Sequence, residues 1–388
     1  MKTGRLTTLA AAAAAGALLL AGAPARAADP LLEEAVEFTG AVMYLDFKVP
    51  GVVLGVIRNG ETAVMGFGEL YEGAGVEPDG NTKLRIGSIS KAMTGQVLAS
   101  LVADGTVAFT DTAAGHLAKA PGWADAVVPQ MDGRQIRLID LATHSAGLMR
   151  DAPREPGPPE DPERNNTIAA AIAALKTEPL LFAPGTGALY SNLGFDLLGA
   201  AMEGAAGKSY AELLKERVLD PAGMKDTGIA TARGMPEGHM LGQGFQGEQI
   251  PAVPAAATTA PAGGLVSTPN DILRWMAWHL GDLPDHQAEV RLLDHAAYIP
   301  RDRLAPAYGL DESGHADALG LGWIVMLAEG ERPTLLQKAG GGNGIFTYMA
   351  FAPGRDIGAF VAINSFDFGA AMGMAEVVNG LIAQLSPR

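Results

Sequence analysis

The chain has 388 residues, 43 of them acidic and 28 basic, with no cysteine, 48% hydrophobic and 18% charged, a composition that excludes a disordered or fibrous protein. Its length exceeds the ~250–300 residues at which a single core stops growing, so two lobes are expected. The net charge of −15 argues against nucleic-acid partners and anionic headgroups, and the missing thiols exclude disulfides, thiolate metal sites and a cysteine nucleophile.

Residues 1–27 read as an export signal. Lys2 and Arg5 precede an apolar run from Leu9 to Ala23, and Ala25-Arg26-Ala27 has the small residues of a cleavage site. The run is shorter than the ~20 residues that span a bilayer. Losing Lys2, Arg5 and Arg26 takes the net charge from −15 to −18. No later stretch reaches ~18 uninterrupted apolar residues, and no cysteine is present for a lipid anchor, so no membrane anchor is expected. A protein exported to the periplasm, or secreted where there is no second membrane, is the expectation.

Val52–Ile57 and Thr62–Gly68 are β-rich runs joined by Asn59-Gly60, which tolerates the positive φ of a tight hairpin. Apolar residues then recur at helical spacing in Ile89–Val102, Thr167–Leu175, Asn192–Glu203, Tyr210–Val218 and Asn270–Leu280. Pro153–Pro162, with five prolines, and Pro251–Gly264, rich in Ala, Pro and Thr, punctuate these helices and read as long surface loops without regular structure. Gly322–Leu327, Leu335–Lys338, Ile345–Phe351 and Ile357–Ile363 read as further strands, turning at Glu329-Gly330 and Pro353-Gly354. Val377, Val378, Leu381, Ile382 and Leu385 then mark a terminal helix that packs on the sheet. The expected fold is α+β: an antiparallel sheet built from both chain ends and flanked by helices, with a mainly helical subdomain inserted. Boundaries fall at about 28–87 and 315–388 for the sheet lobe and 88–314 for the helical lobe.

Ser88 and Lys91 lie three residues apart, on a different face of their helix from the apolar stripe of Ile89, Met93, Val97 and Leu101. A serine hydroxyl becomes a useful nucleophile when a neighbour takes its proton. Lysine does so only when burial or a second cation lowers its pKa well below ~10.4. Taken alone Ser-x-x-Lys is a weak signal, since a serine starting a helix with a solvated lysine after it is commoner. Tyr190 and Asn192 open the helix from Leu193: the phenol can relay a proton and the amide can orient a carbonyl, though a core tyrosine and a capping asparagine look the same in sequence. Lys338 is the candidate second cation, and Ala339-Gly340-Gly341-Gly342 after it lets an extended substrate approach a strand edge and a backbone N–H point at an oxyanion.

Other sites lack support. Gly207-Lys208-Ser209 has Met202 where a phosphate loop needs its first glycine. The histidines, His279, His286 and His295 among them, show no zinc spacing, and no Gly-x-Ser-x-Gly occurs, so no metal is expected. His144 reads as a packed or loop-bracing residue rather than a base.

In order along the chain, Ser88-x-x-Lys91, Tyr190-x-Asn192 and Lys338-x-Gly340 resemble the signature of the penicillin-recognising serine hydrolases. The Tyr-x-Asn form is that of the class C β-lactamase and DD-peptidase branch. Leu141–Leu148, Pro221–Thr227 and Gly263–Pro269 look like the same family. Tyr190–Leu198, Ala316–Trp323 and Gln337–Gly342 are similar to its AmpH-type D-alanyl-D-alanine carboxypeptidase/endopeptidases. The resemblance covers nearly the whole chain after the signal and implies a β-lactamase/transpeptidase-like fold. It implies Ser88 as nucleophile, Lys91 as base and Tyr190 as proton relay, with Asn192 and Lys338 on substrate and the N–H groups of Ser88 and Gly341 as oxyanion donors. No cofactor is implied; the partners are peptidoglycan muropeptides, with β-lactams as acylating ligands. One departure is Ala339, where the family usually has Thr or Ser to hold a substrate carboxylate, and Arg150 is the candidate replacement contact. A class C-type β-lactamase, a carboxylesterase of the same fold and a non-catalytic capture module remain the alternatives.

Overall fold

The computed structural model describes residues 29–158, 161–311 and 313–386, and the export signal expected at residues 1–27 lies outside them. Helix α1 (Pro30–Phe47) starts on the Asp29 carboxylate, which accepts from Leu31 N–H, and places Pro30 in the first turn, where its missing N–H leaves no bond unmade. The hairpin β1 (Gly51–Arg58) and β2 (Glu61–Gly68) follows, with φ of 50° at Asn59 and 79° at Gly60 as the tight turn requires.

Helix α2 (Ile89–Ala103) is buried on nearly every side. It is followed by α3 (Asn192–Ala206), α4 (Pro269–Leu280) and α5 (Asp285–Asp294). The chain then returns to the sheet through β3 (Ile299–Pro300), β4 (Ala318–Leu319), β5 (Ile324–Met326), β6 (Leu335–Gly342), β7 (Ile345–Ala352) and β8 (Ile357–Ile363), and closes with α6 (Phe368–Leu385). All pairings in this sheet are antiparallel, in the order β2-β1-β8-β7-β6-β5-β4-β3. The first strands of the chain thus sit beside the last, as expected.

Two apolar cores lie on the two faces of the sheet. One joins the sheet to α2, α3 and α4 through Ile89, Met93, Val97, Phe195, Trp275 and Phe360; the other joins it to α1 and α6 through Leu32, Val36, Met43, Val361, Val378 and Ile382. By length and composition alone α6 is apolar enough to cross a bilayer, but Ala370, Met374, Val378, Leu381 and Ile382 pack it against the sheet.

Two sequence expectations change. Pro251–Gly264 is not wholly an irregular surface loop: Ala257–Thr259 forms a 3-10 turn and Ala260–Gly263 an α-turn with Ala260, Pro261 and Ala262 buried. Pro261 is tolerated because it stands in the first helical turn. The helix expected over Tyr210–Val218 is α-helical only to Leu214 and widens to π geometry over Lys215–Leu219, just before Pro221.

Candidate active site

The site forms where the N-terminus of α2 meets the end of β6. Ser88 is the N-cap residue of α2. At Gly87, φ is +51° and a Cβ would lie 2.7 Å from the backbone nitrogen of Gly341; at Gly340 a Cβ would meet Ile86 O at 2.1 Å. These glycines let the chain just before Ser88, Ile86 and Gly87, lie against Gly340 and Gly341. The ladder with β5 stops at Gln337, and Gly340, Gly341 and Gly342 line the cavity of Ser88.

Lys91 Nζ lies 3.1 Å from Ser88 Oγ and donates to Asn192 Oδ1 at 2.7 Å and to Ala262 O at 2.5 Å. Tyr190 Oη donates to Ser88 Oγ at 2.5 Å. The nucleophile candidate therefore has an amine and a phenol on one oxygen. Lys91 is fully buried, and burial lowers its pKa well below that of a free lysine; the Lys338 and Arg150 cations push the same way, against Asp196 and Asp151. A neutral Lys91 amine has two N–H groups for Asn192 and Ala262 and one lone pair, which faces Ser88. Proton acceptance from Ser88 is the use this geometry leaves for that lone pair. Lys91 and Lys338 lie 4.8 Å and 4.7 Å from the centre of the Tyr190 ring, so the phenol is flanked by the neutral Lys91 amine and the Lys338 cation.

The structure brings Ser88, Lys91, Tyr190, Asn192, Lys338, Gly340 and Gly341 to one place. Arg150 lines the same space, with its guanidinium 4.8 Å from the Tyr190 ring centre and 3.8 Å from Asp151 Oδ2. His144 is a brace: its Nδ1 accepts from Ser191 N–H at 3.1 Å, its ring stacks on Tyr190 at 4.4 Å, and burial with nearby Lys338 keeps it neutral.

Sequence reasoning missed three contributors. Asp151 Oδ1 accepts from Asn192 Nδ2 at 2.8 Å and so fixes which end of the amide faces Lys91. The Ala262 carbonyl comes from the segment read as a loop, and Thr94 donates to the neighbouring Pro261 O at 2.8 Å, tying α2 to that wall. Asp196 lies one turn into α3 under the polar cavity, and burial raises its carboxyl well above the usual range. The family-like text Tyr190–Leu198 contained Asp196, but no spacing rule marked it as facing Lys91.

Two cavities meet at Ser88. The first, of about 280 Å³, is lined by charged and polar groups including Arg85, Arg154, Glu163, Asn166, Asn192 and Asp196. The second, of about 460 Å³, runs past Tyr190 and Lys338 to Leu310, Phe346, Phe366, Phe368 and Met372 and is largely apolar.

The chain belongs to the β-lactamase family, whose model matches residues 28–382. Within that family it is 36% identical over 340 residues to the D-alanyl-D-alanine-carboxypeptidase/endopeptidase AmpH of Escherichia coli, covering 87% of this chain and 85% of the relative. A β-lactamase of Pseudomonas fluorescens is 24% identical over 354 residues, covering 86% of this chain and 93% of that one. The fold superimposes on the β-lactamase/D-alanine carboxypeptidase of Yersinia pestis with a TM-score of 0.81 at 33% identity, covering 92% of this chain and 99% of that one. A class C β-lactamase gives a TM-score of 0.74 at 17% identity, again over 92% of this chain, with 97% of its own length covered, and shares the fold.

Gly87→Ala tests the backbone arrangement. A Cβ at this positive φ and so close to Gly341 displaces the Gly341 backbone from that of Ser88, whose two N–H groups are expected to receive the oxyanion. Acylation by a fluorescent penicillin should slow by ~10²–10³-fold, the usual effect of losing one such donor. An unchanged acylation rate would contradict the placement of the Gly341 N–H.

Proposed function

We propose that this chain is an exported peptidoglycan DD-peptidase that works through a Ser88 acyl-enzyme. Ser88 Oγ attacks the carbonyl on the acyl side of a D-alanyl bond while its proton passes to Lys91 Nζ. The Ser88 and Gly341 N–H groups receive the oxyanion. Collapse expels the amine, protonated by way of Tyr190, and leaves an ester on Ser88 that water then hydrolyses. The observation that carries this reading is the shared oxygen: Lys91 Nζ at 3.1 Å and Tyr190 Oη at 2.5 Å from Ser88 Oγ. The AmpH relative's name gives the substrate class, and peptidoglycan lies outside the cytoplasmic membrane, in keeping with an export signal.

The two cavities orient the substrate. Tyr190 lines the apolar cavity and not the polar one, so the amine it protonates departs into the apolar side. The acyl half, a stem peptide with charged side chains, faces Arg85, Arg154 and Glu163. Ala339 leaves the leaving-group side without the usual hydroxyl for a terminal carboxylate. Cleavage of cross-links, whose leaving groups are large, is therefore less affected than release of D-alanine, with Arg150 and Lys338 the remaining anion contacts.

Incubation with purified cross-linked muropeptides tests the proposal. Mass spectrometry should show cross-link cleavage and D-alanine loss, with only slow turnover of a chromogenic cephalosporin. Fast cephalosporin turnover with intact muropeptides would make the chain a β-lactamase instead. The apolar leaving-group cavity and Ala339 together favour a second reading, a carboxylesterase, which hydrolysis of p-nitrophenyl esters without muropeptide cleavage would establish.

A further inference from the structure

On the far side of α2 from Ser88, three side chains meet that the acylation chemistry does not use. His279 lies near the end of α4, Asp294 ends α5, and His295 follows it. His279 Nδ1 and His295 Nε2 share a hydrogen bond at 2.9 Å, and Asp294 Oδ2 is 3.8 Å from His279 Nδ1. One potential ligand atom from each residue lies within 4.8 Å of the others. His279 is 1% exposed and Asp294 0%.

The carboxylate is only half satisfied. Trp323 Nε1 donates to Asp294 Oδ2 at 3.0 Å, while Oδ1 is buried with no hydrogen-bond partner. Arg291, the cation on the same helix, donates instead to the carbonyls of Trp278 and His279. Trp275, Trp278, Trp323 and Phe351 pack their rings around His279. A carboxyl group placed in an aromatic core beside two imidazoles, with one oxygen unmatched, is costly unless a proton or a metal ion completes it.

We propose that His279 Nδ1, His295 Nε2 and the Asp294 carboxylate bind a divalent transition-metal ion, zinc by the character of the donors. Two imidazoles and one carboxylate are a borderline-soft set suited to zinc. Bonds of ~2.0–2.1 Å in tetrahedral geometry put neighbouring donors ~3.3 Å apart. The two nitrogens already stand near that spacing, and an Asp294 carboxylate oxygen lies within 4.8 Å of both. Trp323 N–H then plays the orienting part that hydrogen-bonded neighbours of metal-bound carboxylates play. Burial favours the neutral, metal-binding form of both rings, taking His295 down to about 3.

The ion ties α4 to α5, which packs against the catalytic helix. Trp275 donates to Gln96 of α2 at 2.7 Å, and Gly322, next to Trp323, packs on the backbone of Lys91. Its role is to hold α2 in place, not to take part in the reaction.

The test uses the untagged mature protein, stripped with a chelator, and zinc chloride as probe. Elemental analysis after dialysis should find about one zinc per chain, and zinc should raise the thermal midpoint. Asp294→Asn and His295→Gln should bind at least ~10-fold less while still being acylated by penicillin. Wild-type protein without stoichiometric zinc would overturn the proposal, as would variants that keep it. If neither variant folds, X-ray absorption of the zinc-loaded wild type decides: two imidazole shells uphold the site, and their absence overturns it. Penicillin acylation of the same wild-type sample reports separately on the peptidase reading.

Discussion

Ser88→Ala is expected to reduce muropeptide cleavage by ~10⁴-fold or more, to the level left by binding and the oxyanion donors alone. Ser88 Oγ is the atom on which Lys91 Nζ and Tyr190 Oη converge, and no other described hydroxyl has both within hydrogen-bond reach. Removing one oxygen from a partly buried N-cap position with no side-chain capping bond should leave the fold intact. The rate of D-alanine and cross-link release, compared at equal circular-dichroism signal, measures the loss. Residual activity within ~10-fold of wild type would assign the chemistry to another group.

Lys91→Ala is expected to cost ~10²–10⁴-fold in kcat/KM, the range for a general base. Lys91→Arg should not rescue it, because a guanidinium stays protonated and cannot take the serine proton. The sign of the pH dependence follows from the base role. Activity requires the neutral amine, so the acylation rate rises as pH climbs through the pKa of Lys91, and burial with Lys338 places that limb well below 10.5. Lys338→Gln removes a like charge, which eases protonation of Lys91 and moves the limb to higher pH. A limb that moves to lower pH in this variant would contradict the electrostatic part of the account.

The parts of this molecule that were legible in the sequence are those with local signals. Asn59-Gly60 marks its hairpin because its φ values are positive, and Ile89, Met93, Val97 and Leu101 mark α2 because they face one core. Helix α1 gave no such contrast: Leu31, Phe38 and Leu45 are 70%, 71% and 69% exposed while Leu32, Val36 and Met43 are buried, so apolar residues cover both faces. Pro251–Gly264 was misread because proline and alanine content describes local stiffness, whereas burial against α2 is a long-range fact. The site divides in the same way. Ser88 and Lys91 share one helical turn, but their meeting with Tyr190, Lys338 and the Ala262 carbonyl depends on the sheet order. The approach of His279 to Asp294 and His295 depends on how α4 and α5 pack, which no ligand spacing records.

The most direct test of the central claim is to treat the mature protein with benzylpenicillin, quench, digest and locate the adduct by tandem mass spectrometry. One penicilloyl group per chain on Ser88, lost in Ser88→Ala, is the result expected here. No adduct, or an adduct on a different side chain, would contradict the assignment of Ser88 as the nucleophile.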